Sequence, residues 1–231
     1  MARGRAPGYE DQRVLILDRA ALLFARKGYV ATSMNEVAEA CGLSKATLYH
    51  YFRDKRSLLF HITHDNVARL RAIVAEVAAR ELAPEACLRE LVRRLVAAYA
   101  GAQAAHRVLT EDVRFLPPPE RERVLQTERE IVAGIARAVA GVRPDLGTMA
   151  LGKPLAMLLF GMINWMFTWM RPDGVLDYDA IAPVVADLFV GGLHAVRPPP
   201  ARAAPRGGRR ATGSAATGNM APSKQALGDK R

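Results

Sequence analysis

One stretch, Thr32 to Lys55 (TSMNEVAEACGLSKATLYHYFRDK), constrains the fold of this chain more than any other. Ser33 stands three residues before Glu36, the spacing of a capping box that starts a helix. Val37, Ala38 and Cys41 give that helix a small apolar face, and Gly42 supplies the left-handed residue that ends it. Leu43 turns inward and Ser44 caps a second helix. In it Leu48 and Phe52 are four apart and share the buried face, which leaves Lys45, Thr47, Tyr49 and His50 outside. Asp54 caps a further helix that begins at Lys55. This is a helix-turn-helix whose second helix presents a cation, hydroxyls, an aromatic ring and an imidazole to the outside. Such groups suit phosphate oxygens and base edges in a major groove.

The pattern Phe24-x-x-x-Gly28-Tyr29, Thr32-Ser33, Val37-Ala38, Gly42-Leu43-Ser44-Lys45, Leu48-Tyr49-x-Tyr51-Phe52, Lys55 and Leu58-Leu59 resembles the DNA-binding domain of the TetR family of one-component bacterial regulators. It spans the first 60 residues with order and spacing intact. Many members read Tyr-Tyr-His-Phe where this chain has Tyr49-His50-Tyr51-Phe52, so the polar groups at 50 and 51 exchange places. The resemblance implies an all-α protein of about nine helices: an N-terminal helix-turn-helix domain joined by a long helix to a helical ligand-binding and dimerisation domain. It implies a homodimeric repressor on double-stranded operator DNA, with recognition helices roughly 34–36 Å apart. On that reading Thr32, Ser33, Tyr49, His50, Tyr51 and Lys55 hold phosphates. Ser44 shares their surface, and Asn35, Lys45, Ala46 and Thr47 read bases.

Charge is unevenly placed along the chain. The net +10 divides into +4 over residues 1–60, −1 over 61–196 and +7 over 197–231. The basic front fits a nucleic-acid face, while most of the high isoelectric point comes from the tail. Two cysteines, Cys41 and Cys87, make neither a disulfide framework nor a metal spacing. The N-terminus carries no apolar signal segment, so a cytoplasmic protein is expected. The longest apolar run, Leu155 to Met170, is interrupted by Gly161, Asn164 and Thr168 and reads as a buried helix rather than a membrane span.

Residues 1–9 read either as a free terminus or as a basic arm on DNA, through Arg3 and Arg5. Residues 10–60 form the expected DNA-binding domain, starting with a helix from about Asp11 to Lys27. The helix from Lys55 keeps its apolar stripe through Leu59, Ile62, Asn66, Leu70, Ile73, Val74 and Val77 to about Leu82. At roughly 40 Å it is too long for one small core and reads as a connector. The ligand-binding and dimerisation domain, 61–196, then holds helices from Pro84, over about 104–115, over 120–140, over 151–170 and from Asp177 or Asp179 to about His194. Residues 197–231, rich in Pro, Gly, Ala, Ser, Thr and Arg, are expected to be disordered.

The helix LGKPLAMLLFGMINWMFTWM has no polar face and must be covered all round. Its neighbours in so small a domain cover part of it, and a second subunit or a ligand covers the rest. The resemblance places the dimer interface on the last two helices, with Met162, Trp165, Trp169, Val185, Phe189 and Gly192 in it. For a small-molecule effector, Tyr99, Gln103, His106, Arg114, Phe115, Asn164 and Phe167 make a set of aromatic walls and polar orienters. HRVLTEDVRFL and KPLAMLLFGMINWMFTWMRPDG resemble the ligand domains of the phenylacetate-degradation repressors of Gram-negative bacteria, which implies an acyl-CoA effector such as phenylacetyl-CoA. Arg89, Arg93, Arg94, Arg107 and Arg114 are placed to meet its phosphates. A lipophilic drug controlling an efflux pump fits the Met and aromatic content equally. A ligand-blind DNA-packaging protein is a further reading. An enzyme is not expected, since HExxH, G-x-S-x-G, P-loop and clustered Cys/His signatures are missing, and no cofactor is implied.

Overall fold

The computed structural model describes residues 8–148, 151–170 and 174–198; of Thr148 and Phe167 only the backbone is described. Most of the N-terminal arm, the tail from 199 and most of the Arg171–Gly174 turn therefore lie outside the described residues. The described chain is helical in eleven segments, in the order α1 Tyr9–Lys27, α2 Met34–Ala40, α3 Lys45–Tyr51, α4 Lys55–Ala78, α5 Pro84–Ala100, α6 Gln103–Asp112, α7 Pro118–Val142, α8 Pro144–Thr148, α9 Gly152–Asn164, α10 Met166–Trp169 and α11 Tyr178–Ala195. No helix among the described residues is long and apolar enough to cross a membrane.

Local chemistry sets the first four boundaries. Gly28 ends α1 at φ +86°, and Gly42 ends the α2 turn at φ +64°, values a side chain would strain. Glu36 N–H donates to Ser33 Oγ at 3.2 Å and Ser33 N–H to Glu36 Oε2 at 2.8 Å, so the capping box is complete. Thr47 N–H donates to Ser44 Oγ, and Ser57 N–H to Asp54 Oδ1, which starts α3 and α4. Farther on, Pro84 opens α5 at its first position, and Asp177 caps α11 by accepting from Ala180 N–H at 2.8 Å.

Two expected helices are shorter or interrupted. The segment over 104–115 ends at Asp112 and continues as a 3-10 turn over Val113–Phe115. The apolar helix over 151–170 tightens at Trp165. There Trp165 N–H reaches Gly161 O at 3.3 Å, and Thr168 N–H skips to Trp165 O, which divides α9 from α10 without reversing the chain.

One continuous apolar core runs from Ile16 in α1 to Leu193 in α11. The connector α4 spans about 36 Å. It packs on α1 near its start and on α5, α6 and α7 beyond, with Leu58, Leu59, Ile62, Leu70, Ile73, Val74 and Val77 buried. Close approach holds α7 against α4: a Cβ on Gly134 would stand 2.3 Å from a Val74 methyl. α11 packs chiefly on α5.

Candidate nucleic-acid interface and effector region

α3 is seated by Leu48, 0% exposed, and by Phe52 just after it. Lys45, Ala46, Thr47, Tyr49 and His50 are all exposed, and Asn35 on α2 is exposed beside them. The first turn of α3 holds no acidic residue, so its backbone N–H groups and Lys45 make one positive edge. Lys45 Nζ lies 5.9 Å from the Tyr49 ring centre, and the Ser44 and Thr47 hydroxyls share a 2.8 Å hydrogen bond.

Four residues expected to hold phosphates have their side chains engaged inside the protein. Thr32 is 1% exposed, and its hydroxyl donates to Gly28 O at 3.0 Å. Ser33 is occupied by the capping box, and its hydroxyl also donates to Glu36 at 2.9 Å. Tyr51 is half-buried and stacks on Tyr9 of α1 at 4.7 Å. Lys55 Nζ donates to Tyr29 O at 2.7 Å, Val30 O at 3.0 Å and Thr32 O at 2.7 Å, and sits 4.6 Å from the Tyr29 ring centre. An ammonium has three donors, and all three close the loop between α1 and α2. Sequence spacing could not show this, because the acceptors are backbone carbonyls more than twenty residues away.

The same loop meets the second half of the chain. Tyr29 stacks on Phe115 at 5.4 Å and meets Phe24 edge-on at 5.3 Å. Burial pushes the Asp112 carboxyl up, even though the Tyr29 backbone N–H donates to it. Tyr29, Asp112 and the Lys55 clamp were not singled out as a junction by sequence reasoning.

Among the described residues, those expected to surround an effector are divided between two clefts and the core. Tyr99 and His106 pack edge-on at 4.4 Å, both buried. Burial lowers His106 to about 4 and raises the Tyr99 phenol, with Glu128 adding to the rise. Gln103 Nε2 donates to Tyr178 Oη at 2.8 Å and lines a cleft of about 750 Å³ beside α1 and α4. Arg114 and Phe115 line a different cleft, of about 610 Å³, together with Tyr29. The 3-10 turn swings them to the α1–α2 loop. Asn164 lies on α9 with a covered Oδ1 that has no hydrogen-bond partner among the described residues. The side chain of Phe167 lies outside the described set.

The arginine entrance is likewise not preassembled. Arg89 pairs with Asp187, Arg93 with Glu90, Arg94 with Glu76 and Arg107 with Glu111. Arg114 lies 5.0 Å over the Phe115 ring.

On the last helices the exposed side is apolar. Trp165 is 66% exposed and Leu188 64%, and Met157, Leu158, Trp169 and Val184 are exposed with them. Gly161, Gly191 and Gly192 are exposed among these, and Met162 is half-buried. Val185 and Phe189, expected in a dimer interface, instead face inward and are buried, Phe189 to 7% exposure. α5 covers that side of α11, and Val184 and Leu188 are left exposed on the other.

Residues 16–62 match the family described as bacterial regulatory proteins, tetR family, and residues 81–193 match the tetracyclin repressor-like C-terminal domain. A TetR-family transcriptional regulator from Bordetella parapertussis 12822 is 33% identical; the match covers 83% of this chain and 100% of that one, with a TM-score of 0.75. The chain belongs to the TetR family. The HTH-type transcriptional repressor KstR2 of Rhodococcus jostii (strain RHA1) is 29% identical over 191 residues, 80% of this chain and 93% of its own. The structure of AibR in complex with isovaleryl coenzyme A and operator DNA is 25% identical, covers 77% of this chain and 97% of its own, and has a TM-score of 0.65. As a TetR-family member this protein is a DNA-binding transcriptional regulator, acting as a dimer on operator DNA and answering to a small-molecule effector.

Proposed function

We propose that this TetR-family chain is a repressor of a catabolic operon that leaves its operator when an acyl-CoA binds the second domain. The observation that carries the DNA side is α3: Leu48 fully buried beneath it, and Lys45, Ala46, Thr47, Tyr49 and His50 all turned outward. Residues 10–60 serve as the DNA-binding domain. In it Lys45, Ala46 and Thr47, with Asn35, reach base edges, while Tyr49, His50 and the α3 N-terminus at Ser44 hold phosphates. Residues 61–196 take the effector and the partner subunit.

AibR, crystallised with isovaleryl coenzyme A, supports an acyl-CoA as effector class, and KstR2 supports repression. The resemblance of the second domain to phenylacetate-degradation repressors puts phenylacetyl-CoA first in the panel, with isovaleryl-CoA beside it. The paired surface arginines fit this reading. Exposed ion pairs hold roughly 0–1 kcal/mol each, so a CoA phosphate displaces Asp187 or Glu111 at little cost.

Release travels through α4, which is packed in both halves of the molecule, and through the Tyr29–Phe115 stack and the Lys55 clamp. The effector must favour the released arrangement by on the order of 5 kcal/mol to empty a nearly full operator. By linkage, operator DNA weakens effector binding by the same factor.

The test is operator binding by fluorescence anisotropy, titrated with phenylacetyl-CoA, isovaleryl-CoA, phenylacetate and a lipophilic cation. A CoA thioester that releases DNA where phenylacetate does not supports the reading. Release by the cation, with every thioester silent, overturns it in favour of drug-responsive control.

A further inference from the structure

The cleft of about 750 Å³ has α1 on one side, α4 on the other and the corner between α5 and α6 at one end, where Gln103 is the one residue it shares with the expected effector set. Its body is apolar: Val14, Leu17 and Ala21 from α1 face Ile62 of α4 across it.

Its polar groups are divided by position and by charge. Toward the start of α1, Arg13 donates to Asp65 at 3.1 Å and meets His61 Nδ1 at 2.9 Å, so those groups satisfy one another. At the α5–α6 corner the account is different. Arg69 Nη2 donates to two neutral acceptors, Asn66 Oδ1 and Ala98 O, both at 3.1 Å. Arg69 has no carboxylate within ion-pair distance among the described residues, and Asp18 across the cleft acts on it only from farther away. Asn66 is 6% exposed, and its Nδ2 has no hydrogen-bond partner there either. Tyr178 Oη accepts from Gln103, which leaves its own O–H to donate. This end holds one cation, Arg69, and a hydroxyl donor, Tyr178.

We propose that this cleft is a second ligand site, separate from the acyl-CoA site, and that it takes an amphipathic monocarboxylate. The carboxylate lies at Arg69, with Tyr178 as a further donor, and the hydrocarbon lies along Val14, Leu17 and Ile62. Two carboxylates in the same cleft, Asp18 and Asp65, set the charge limit. One negative charge balances Arg69, whereas the phosphates of a coenzyme A meet like charge. Since α1 carries the helix-turn-helix and α4 continues into the second domain, an occupant that grips both joins the two parts, and its binding is linked to operator affinity.

The test is calorimetry on the full chain with decanoate, decanol and decanoyl-CoA as probes. Decanoate is expected to bind once per chain, and decanol at least tenfold more weakly. Arg69→Gln and Val14→Glu are each expected to weaken decanoate at least tenfold. Both positions are exposed, so unchanged melting temperatures show that the fold is intact. The proposal is overturned if millimolar decanoate gives no heat, if decanol binds as tightly, or if both variants bind decanoate like the wild type. The outcome is separable from operator release by CoA thioesters. Release without decanoate binding leaves the repressor reading standing and removes this site, and decanoate binding without release does the reverse.

Discussion

Two helices, α3 and α11, each bury one side and expose the other, and they differ in what they expose. α3 turns a lysine, hydroxyls and two rings with polar atoms to the outside over a buried Leu48. Such a surface is stable in water by itself and waits for its partner. α11 buries Val185 and Phe189 and leaves Val184 and Leu188 in the open, as the α9–α10 segment leaves Trp165 and Trp169. An apolar surface of that kind loses free energy in water, at about 25 cal/mol for each Å² left uncovered, so its partner belongs to the resting state. On the proposed reading, operator DNA is an occasional partner, whereas the second subunit is a standing one.

The strongest way to break this contrast lies on α11. Phe189→Ala is expected to cost about 3–5 kcal/mol of stability by opening the core against α5. Leu188→Asp, one residue away, is expected to leave the monomer folded and to abolish the dimer. Sedimentation and chemical denaturation distinguish the two, and a wild-type dimer for Leu188→Asp would move the interface elsewhere.

Lys55 sharpens the other side of the comparison. Its three carbonyl partners make Lys55→Met a stability variant, expected to lose roughly 1.5–3 kcal/mol. The salt dependence of operator binding by the remaining folded protein should stay unchanged. A slope reduced by about one with stability intact would restore Lys55 to a phosphate. Lys45→Ala, in contrast, is expected to leave the melting temperature alone and weaken operator binding by about 1–3 kcal/mol, read by anisotropy.

A smaller effect, absent at neutral pH, concerns the buried interior. Burial holds folded His106 at about 4, below its ordinary 6.5. Between those values the unfolded chain binds the extra proton, so stability is full above about 6.5 and is lost as pH falls toward 4. His106→Phe is expected to flatten that part of the stability profile relative to wild type. A parallel loss in both proteins would assign the acid sensitivity to other groups.

Much of the helix-turn-helix was legible in the chain because its signals are local. Ser33, Ser44 and Asp54 each cap a helix within three residues of themselves, and Gly28 and Gly42 each solve a backbone problem at their own position. A periodic stripe also marked α4 and α5, with the polar Asn66 counted within the α4 stripe. Legibility failed where a side chain's partner was distant. Lys55 shares the surface signature of Lys45, and only the fold brings three carbonyls to it. Phe115 and Arg114 fit an effector wall by composition, but the 3-10 turn delivers them to Tyr29.

By itself the sequence determined the helical class, the positions of the caps and the polar face of the recognition helix, because each depends on residues within about one turn of one another. It also determined that the last helices carry more apolar surface than one subunit can cover. Which side of α11 meets the core was decided by tertiary structure alone. Val184 and Val185, or Leu188 and Phe189, are equivalent in hydrophobicity and adjacent in sequence. Asp187 is the one charged residue in the middle of α11, too little to fix its rotation until α5 packs against it.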